Sequence, residues 1–168
     1  MQIYGLPPVV DSMSRTIILG TLPGTLSIEK QEYYADPNNQ FWSILECVLG
    51  IKGLSCDNYD QKCKLILKKH IALWDILKCA ERKGSTDNGF LRETILINDF
   101  SDFFKNHPHI NKVLIAGTMA KNYYKKGLRD GIIPSDIPFL IVPSTSSTPG
   151  KYVLSFREKC GQWNKSLY

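Results

Sequence analysis

Four short apolar runs, each separated from the next by segments of helical spacing, constrain this chain more than any other feature. They are TIILG at 16–20, IALWDIL at 71–77, KVLIAG at 112–117 and PFLIVPS at 138–144. The apolar residues run on without alternating with polar ones, which predicts strands buried on both faces of a parallel sheet. Helical spacing is found over 39–50, with Phe41, Trp42, Ile44, Leu45, Val48 and Leu49 on one side and Gly50 as the stop. It recurs from an Asp57 cap to about residue 69, over 99–106 before Pro108, over 118–126 and over 156–167. Segment 21–38 is turn-rich and 81–89 is a loop by composition. Strands alternating with helices imply βαβ units. The predicted fold is α/β: a three-layer αβα sandwich around a four-stranded parallel sheet. No repeat, low-complexity tract or linker divides residues 1–168, so a single domain is expected.

Hydrophobic residues make up 43% of the 168 and charged residues 22%, ordinary values for a globular protein. A net charge of +5 permits a phosphate-bearing partner without demanding one. No apolar run approaches membrane-spanning length, and MQIYGLPPVVDSMSR lacks a signal-peptide pattern. These features set three expectations: a cytoplasmic location, no membrane partner and a monomer. Cys47, Cys56, Cys63, Cys79 and Cys160 are odd in number and contain no CxxC. That spacing argues against disulfides and against an iron–sulfur cluster, leaving buried reduced thiols as the expectation. His70, His107 and His109 show no ligand spacing, and neither a metal nor another cofactor is expected.

In open parallel sheets, ligands bind beyond the carboxyl ends of the strands. The segments there are TLPGTLS, DILKCAERKGSTDN, GTMAKN and PSTSSTPG, the polar, glycine- and hydroxyl-rich parts of the chain. GTLPG is neither a Walker loop nor GxGxxG. It is an ordinary βα turn, or a rigid turn allowing close backbone approach. YYADPNNQFW at 33–42 supplies rings for stacking and an amide, Asn39, able to bond a base edge or orient water. Equally, Asn38 or Asn39 is the cap of the next helix, with Phe41 and Trp42 on its buried face. Ser144, Thr145, Ser146 and Ser147, with Lys151 beyond them, suit phosphate contacts or a solvated loop. GSTDN at 84–88 and Asn98-Asp99 are most simply turns or caps.

Taken in order, ILGTLPGTLS, YYADPNNQFW, ALWDILKCAERKGSTDN, NDFSDFF and VPSTSSTPG resemble the uracil-DNA glycosylase superfamily. The nearest likeness is to the hypoxanthine (deoxyinosine) DNA glycosylase branch, with the mismatch-specific uracil/thymine glycosylases next. The resemblance runs from about residue 17 to 150 and implies the same sheet, with the site at the strand C-termini. It also implies a monofunctional DNA glycosylase that hydrolyses the N-glycosidic bond of a flipped, deaminated base, hypoxanthine or uracil, and so initiates base excision repair. The implied partner is DNA containing a deaminated or mismatched base. By position, Asn39 matches the catalytic asparagine and Tyr34 the ring that stacks on the base. Thr21, Leu22, Pro23, Gly24 and Ala116 would line the base pocket, the turn through its backbone. Ser144 to Ser147 and Lys151 would hold phosphates.

The chain also departs from the pattern. Leu22 stands where many members carry a water-orienting Asp or Asn. Ala116 stands where the hypoxanthine branch favours Asn. Near Ser146 the mismatch-specific relatives insert a bulky wedge. Two further functions stay open on these grounds: a lesion- or abasic-site-binding module without catalysis, and hydrolysis of a free nucleoside.

Overall fold

A computed structural model describes residues 2–81, 89–147 and 153–168. Along them run β1 (Gln2–Tyr4), β2 (Thr16–Gly20), α1 (Thr25–Lys30), α2 (Phe41–Leu49), α3 (Tyr59–Lys68), β3 (Ile71–Asp75), β4 (Leu77–Glu81), β5 (Leu96–Ile97), α4 (Phe100–Asn106), β6 (Lys112–Ala116), α5 (Thr118–Arg129), β7 (Phe139–Val142) and α6 (Phe156–Leu167). The four expected strands form one parallel sheet in the order β3-β2-β6-β7. Thr16 pairs with Ile71 on one side and Lys112 on the other, so the central strand is flanked in register.

Side chains that alternate along these strands feed two cores. Ile18, Leu73 and Leu114 face Phe41, Trp42, Ile44 and Leu45 of α2, Ile66 of α3 and Trp163 of α6. Ile17, Leu19, Val113 and Ile115 face Phe100, Phe103 and Phe104 of α4 and Tyr124 of α5. Each fully buried large apolar side chain contributes roughly 1.5–3 kcal/mol, so the sheet is held from both sides. This is the expected αβα sandwich.

The differences lie at element ends. α3 is capped by Asn58, whose side chain accepts the Gln61 N–H at 2.9 Å; Asp57 is not the cap. α5 continues beyond residue 126 to Arg129. Segment 21–38 contains the short α1. The run at 71–77 is one strand only as far as Asp75, because β4 turns away into a second, antiparallel sheet ordered β1-β4-β5. Leu77 and Cys79 of β4 are buried while Lys78 is exposed, an alternation too short to stand out beside a basic loop. Its partner β1 lies near the N-terminus, with Gln2 opposite Glu81. Glu81, expected as the first loop residue, is the last of β4, and residues 82–88 lie outside those described. Cys79 and Cys160 are buried, but Cys47 and Cys56 are exposed and Cys63 is half-buried, so the expectation of buried thiols holds for two. No described helix is long and apolar enough to cross a membrane.

Candidate active site

At the end of β2, the Gly20 and Thr21 carbonyls accept the Ile76 and Leu77 N–H groups, both at 3.0 Å. The turn is therefore tied into the strand edge rather than hanging from it. Gly20 has no room for a side chain. A Cβ there would collide with Asp75 Oδ1 and lie 3.1 Å from the Tyr34 hydroxyl. This gap locates three groups together: the end of β2, the buried carboxylate of Asp75 and the tip of Tyr34. Thr21, Leu22 and Pro23 are buried, and Leu22 packs into the α4/α5 core. Its side chain is thus not a pocket wall, and only its backbone is left for that role. A Cβ on Gly24 would meet nothing within 4 Å, so its small size answers to no neighbour in the fold.

Segment 33–42 is fastened from several directions. The Ser27 hydroxyl of α1 accepts the Ala35 N–H at 3.1 Å, joining the first motif to the second. The Trp42 indole donates to the Tyr33 carbonyl at 3.1 Å, and the Tyr33 hydroxyl to the Leu6 carbonyl at 3.0 Å. Burial pushes the Tyr33 phenol far above its ordinary pKa, so it stays neutral in this anchoring role. Between these anchors Tyr34 sits at φ 55°, a left-handed conformation uncommon for a bulky residue. Its ring stacks on Phe41 with centroids 3.8 Å apart and planes 11° from parallel. Phe41 is fully buried, so the pair forms a rigid aromatic shelf.

Asn39 is half-buried at the start of α2. Its Oδ1 accepts the Phe41 N–H at 3.0 Å, and its own N–H donates to the Asp36 carbonyl at 2.9 Å. Neither Asn38 nor Asn39 is the cap: Gln40 holds that position, without a side-chain cap bond, and the Asn39 bond closes a turn just ahead of the helix. That bond fixes the amide: a donor at Phe41 requires oxygen on that side and leaves the Nδ2 hydrogens facing away.

Loop 143–147 presents its carbonyls inward. Pro143 O accepts the Trp163 indole N–H at 3.0 Å, Thr145 O the Gln40 N–H at 2.9 Å and Ser146 O the Lys159 ammonium at 2.9 Å. Lys159 also donates to Gln40 Oε1 at 2.8 Å. It is only 3% exposed, and burial pulls its ammonium below the usual lysine pKa. Ser144 and Ser147 are exposed, whereas Thr145 is buried and is not placed to grip a phosphate through its hydroxyl. Lys151 lies outside the described residues, as does GSTDN at 84–88. At the end of β6, Ala116 is half-buried against the Phe41 cluster. Gly117, at φ 93°, backs onto Ser144, whose Cβ would be 3.1 Å from a side chain there. A cavity of about 450 Å³ opens beside this point, lined by the apolar Ile141, Val142, Val153 and Leu154 and by Ser144, Lys159 and other polar groups.

Contacts thus run unbroken from the end of β2 through Tyr34, Phe41, Asn39 and Gln40 to loop 143–147 and the end of β6. The structure brings the predicted residues of four segments to one edge of the sheet. Two neighbours were not legible as site residues. Asp75 closes an apolar strand, and an acid at such an end is the available signal. Lys159 lies one helical turn before Trp163, on the face of α6 that enters the core. Among the described residues no group of three His, Cys, Asp or Glu is placed to hold a metal.

A parallel αβα sandwich that gathers an aromatic shelf, a fixed amide and a hydroxyl loop at its strand C-termini has the architecture of an enzyme acting on a flat base joined to a sugar phosphate. The uracil DNA glycosylase superfamily model matches residues 7–160, and the chain belongs to that superfamily. It is a DNA N-glycosylase, a hydrolase of N-glycosyl bonds. It is 36% identical over 123 residues to a hypoxanthine DNA glycosylase of Methanosarcina barkeri, covering 73% of this chain and 76% of that one. A hypoxanthine DNA glycosylase of Methanosarcina acetivorans is 36% identical over 119 residues, 71% of this chain and 73% of the relative. A solution NMR structure from Methanosarcina acetivorans, provisionally named a uracil DNA glycosylase, superposes with a TM-score of 0.80 at 29% identity. That match covers 99% of this chain and 97% of the other.

Proposed function

We propose that this DNA glycosylase removes hypoxanthine from deaminated DNA, with Asn39 as the catalytic side chain. The observation that carries the reading is the Asn39–Phe41 bond beside the Tyr34–Phe41 shelf. A deaminated base pairs poorly, so its extrusion costs least. Once flipped, a planar base finds in Tyr34 a ring already braced from behind, and stacking of this kind is worth roughly 1–3 kcal/mol. The backbone of Thr21 to Gly24 flanks the sugar, where Gly24 permits close approach. As the N-glycosidic bond breaks, the base gathers negative charge and the sugar becomes oxocarbenium-like. The Asn39 Nδ2 hydrogens, directed by the oxygen's commitment to Phe41, are the donor that stabilises the departing base. A preorganised donor of this type supplies about 2.7–4 kcal/mol. Water then adds its oxygen to the sugar C1′, its proton neutralises the released base anion, and no covalent enzyme intermediate is needed. Ser144 and Ser147 hold the flanking phosphates.

Hypoxanthine is preferred to uracil here because both named relatives act on it. The test is a cleavage panel with hypoxanthine, uracil, xanthine or mismatched thymine, each in single strands and duplexes, treated with alkali after incubation in EDTA. Hypoxanthine release with little from the others supports the reading. No release from any substrate, with tighter binding to abasic than to intact duplex, would replace it with a lesion-binding module.

A further inference from the structure

We propose that Lys159 is a positioning residue that couples the DNA-gripping loop to Asn39; this rests on the catalytic role given to Asn39 above. Its charge sits in an unusual place. The ammonium is 3% exposed, yet both of its bonds go to neutral oxygens, Gln40 Oε1 at 2.8 Å and Ser146 O at 2.9 Å. Among the described residues the salt bridges involve only Lys126, Arg129 and Asp130, so no carboxylate pairs with Lys159. A buried cation without a counter-ion is costly, and a protein tolerates it where the charge has work to do.

The work follows from what the two bonds join. Gln40 is the residue after Asn39, and Ser146 belongs to the hydroxyl loop. A third link, from Gln40 N–H to Thr145 O at 2.9 Å, runs parallel to the lysine bridge. Residue 40 is thus held from its backbone and its side chain by the same loop, with Lys159 as the pin. Lys159 also lines the 450 Å³ cavity with Ser144 and Ser146. A phosphodiester held at Ser144 and Ser147 fixes the loop that Lys159 pins, and so sets the backbone on which Asn39 stands. DNA contact at the loop is in this way converted into placement of the catalytic amide. The lysine touches neither base nor sugar.

The experiment compares wild type, Lys159→Met, Gln40→Met and the double variant on a deoxyinosine duplex. Single-turnover base release at saturating enzyme is measured beside affinity for a non-cleavable 2′-fluoro-deoxyinosine duplex. Misplacement of a catalytic group from a distance costs on the order of ten- to a hundredfold. The expected result is a loss of that size in release for each single variant, affinity within about threefold, and a double variant no worse than either single one, as for two ends of one link. An unchanged release rate in Lys159→Met, losses that multiply in the double variant, or affinity falling as far as rate would each overturn the coupling. If Lys159→Met does not fold, Gln40→Met decides by the same rate and affinity criteria. A second readout needs no catalysis: the Asn39 side-chain amide resonances, assigned by their loss in Asn39→Ala. Displacement in Lys159→Met or Gln40→Met supports the coupling, and unmoved resonances overturn it. Absence of base release by wild type would therefore count against the proposed function, while the resonances still judge the coupling.

Discussion

The β2 turn and loop 143–147 stand at the same edge of the sheet, yet they are held in opposite ways. The turn is anchored through its backbone: its carbonyls join the strand edge at Ile76 and Leu77, and Leu22 is driven into the core behind it. The loop is anchored largely by side chains, Lys159 and Trp163 of α6, with the Gln40 N–H beside them. A wall built the first way exists before substrate arrives. A grip built the second way depends on a helix end and a buried charge, and can respond to what it holds. We propose that the turn is the preformed side of the site, facing the base, and the loop its conditional side, facing the phosphates.

Removing the shelf should break the preformed side most severely. Tyr34→Ala forfeits base stacking of roughly 1–3 kcal/mol together with the Phe41 contact, so release falls while the loop's hold on undamaged duplex persists. Gly20→Ala pushes a methyl against Asp75 and Tyr34. Overpacking of that kind costs about 1–3 kcal/mol, read as a lower urea midpoint at unchanged m. The conditional side is probed at the start of α6, where Ser155 and Glu158 form a reciprocal cap. Ser155→Ala should cost about 1 kcal/mol in chemical denaturation. Its effect depends on pH. The Ser155 hydroxyl holds the Glu158 carboxyl below its ordinary value of 4.5, so this stabilisation is present above that pH. It is lost as pH falls through the lowered value, and the variant keeps only the part of that loss due to the Ser155 backbone N–H. Smallest in stability is Gly24→Ala, within about 0.5 kcal/mol because nothing surrounds the new methyl. Weakened binding to lesion duplex with unchanged stability would mark the turn as substrate-facing.

The four strands of the parallel sheet were legible because each is an unbroken apolar run, and α6 because helical spacing holds over 156–167. β1 was hidden, since three residues with an exposed–half-buried–exposed pattern carry no periodic signal. Asn58 and Asp57 are equally good caps in sequence, and only the fold chooses between them. In the site, Asn39 and Tyr34 were found through a resemblance, whereas the Phe41 stack and the amide's orientation are products of tertiary packing. Lys159 was invisible for a physical reason: a lysine on an amphipathic helix ordinarily faces water. Only the neutral oxygens brought to it by Gln40 and Ser146 explain its burial.

The central claim is that the amide fixed at the start of α2 carries the chemistry. Asn39→Ala should be compared with wild type in single-turnover release of hypoxanthine and in affinity for the 2′-fluoro analogue duplex. The account predicts that release falls by about 10²–10³ while affinity stays within a few-fold. Equal losses in both, or release that persists without the amide, would contradict it and reduce Asn39 to a turn residue ahead of α2.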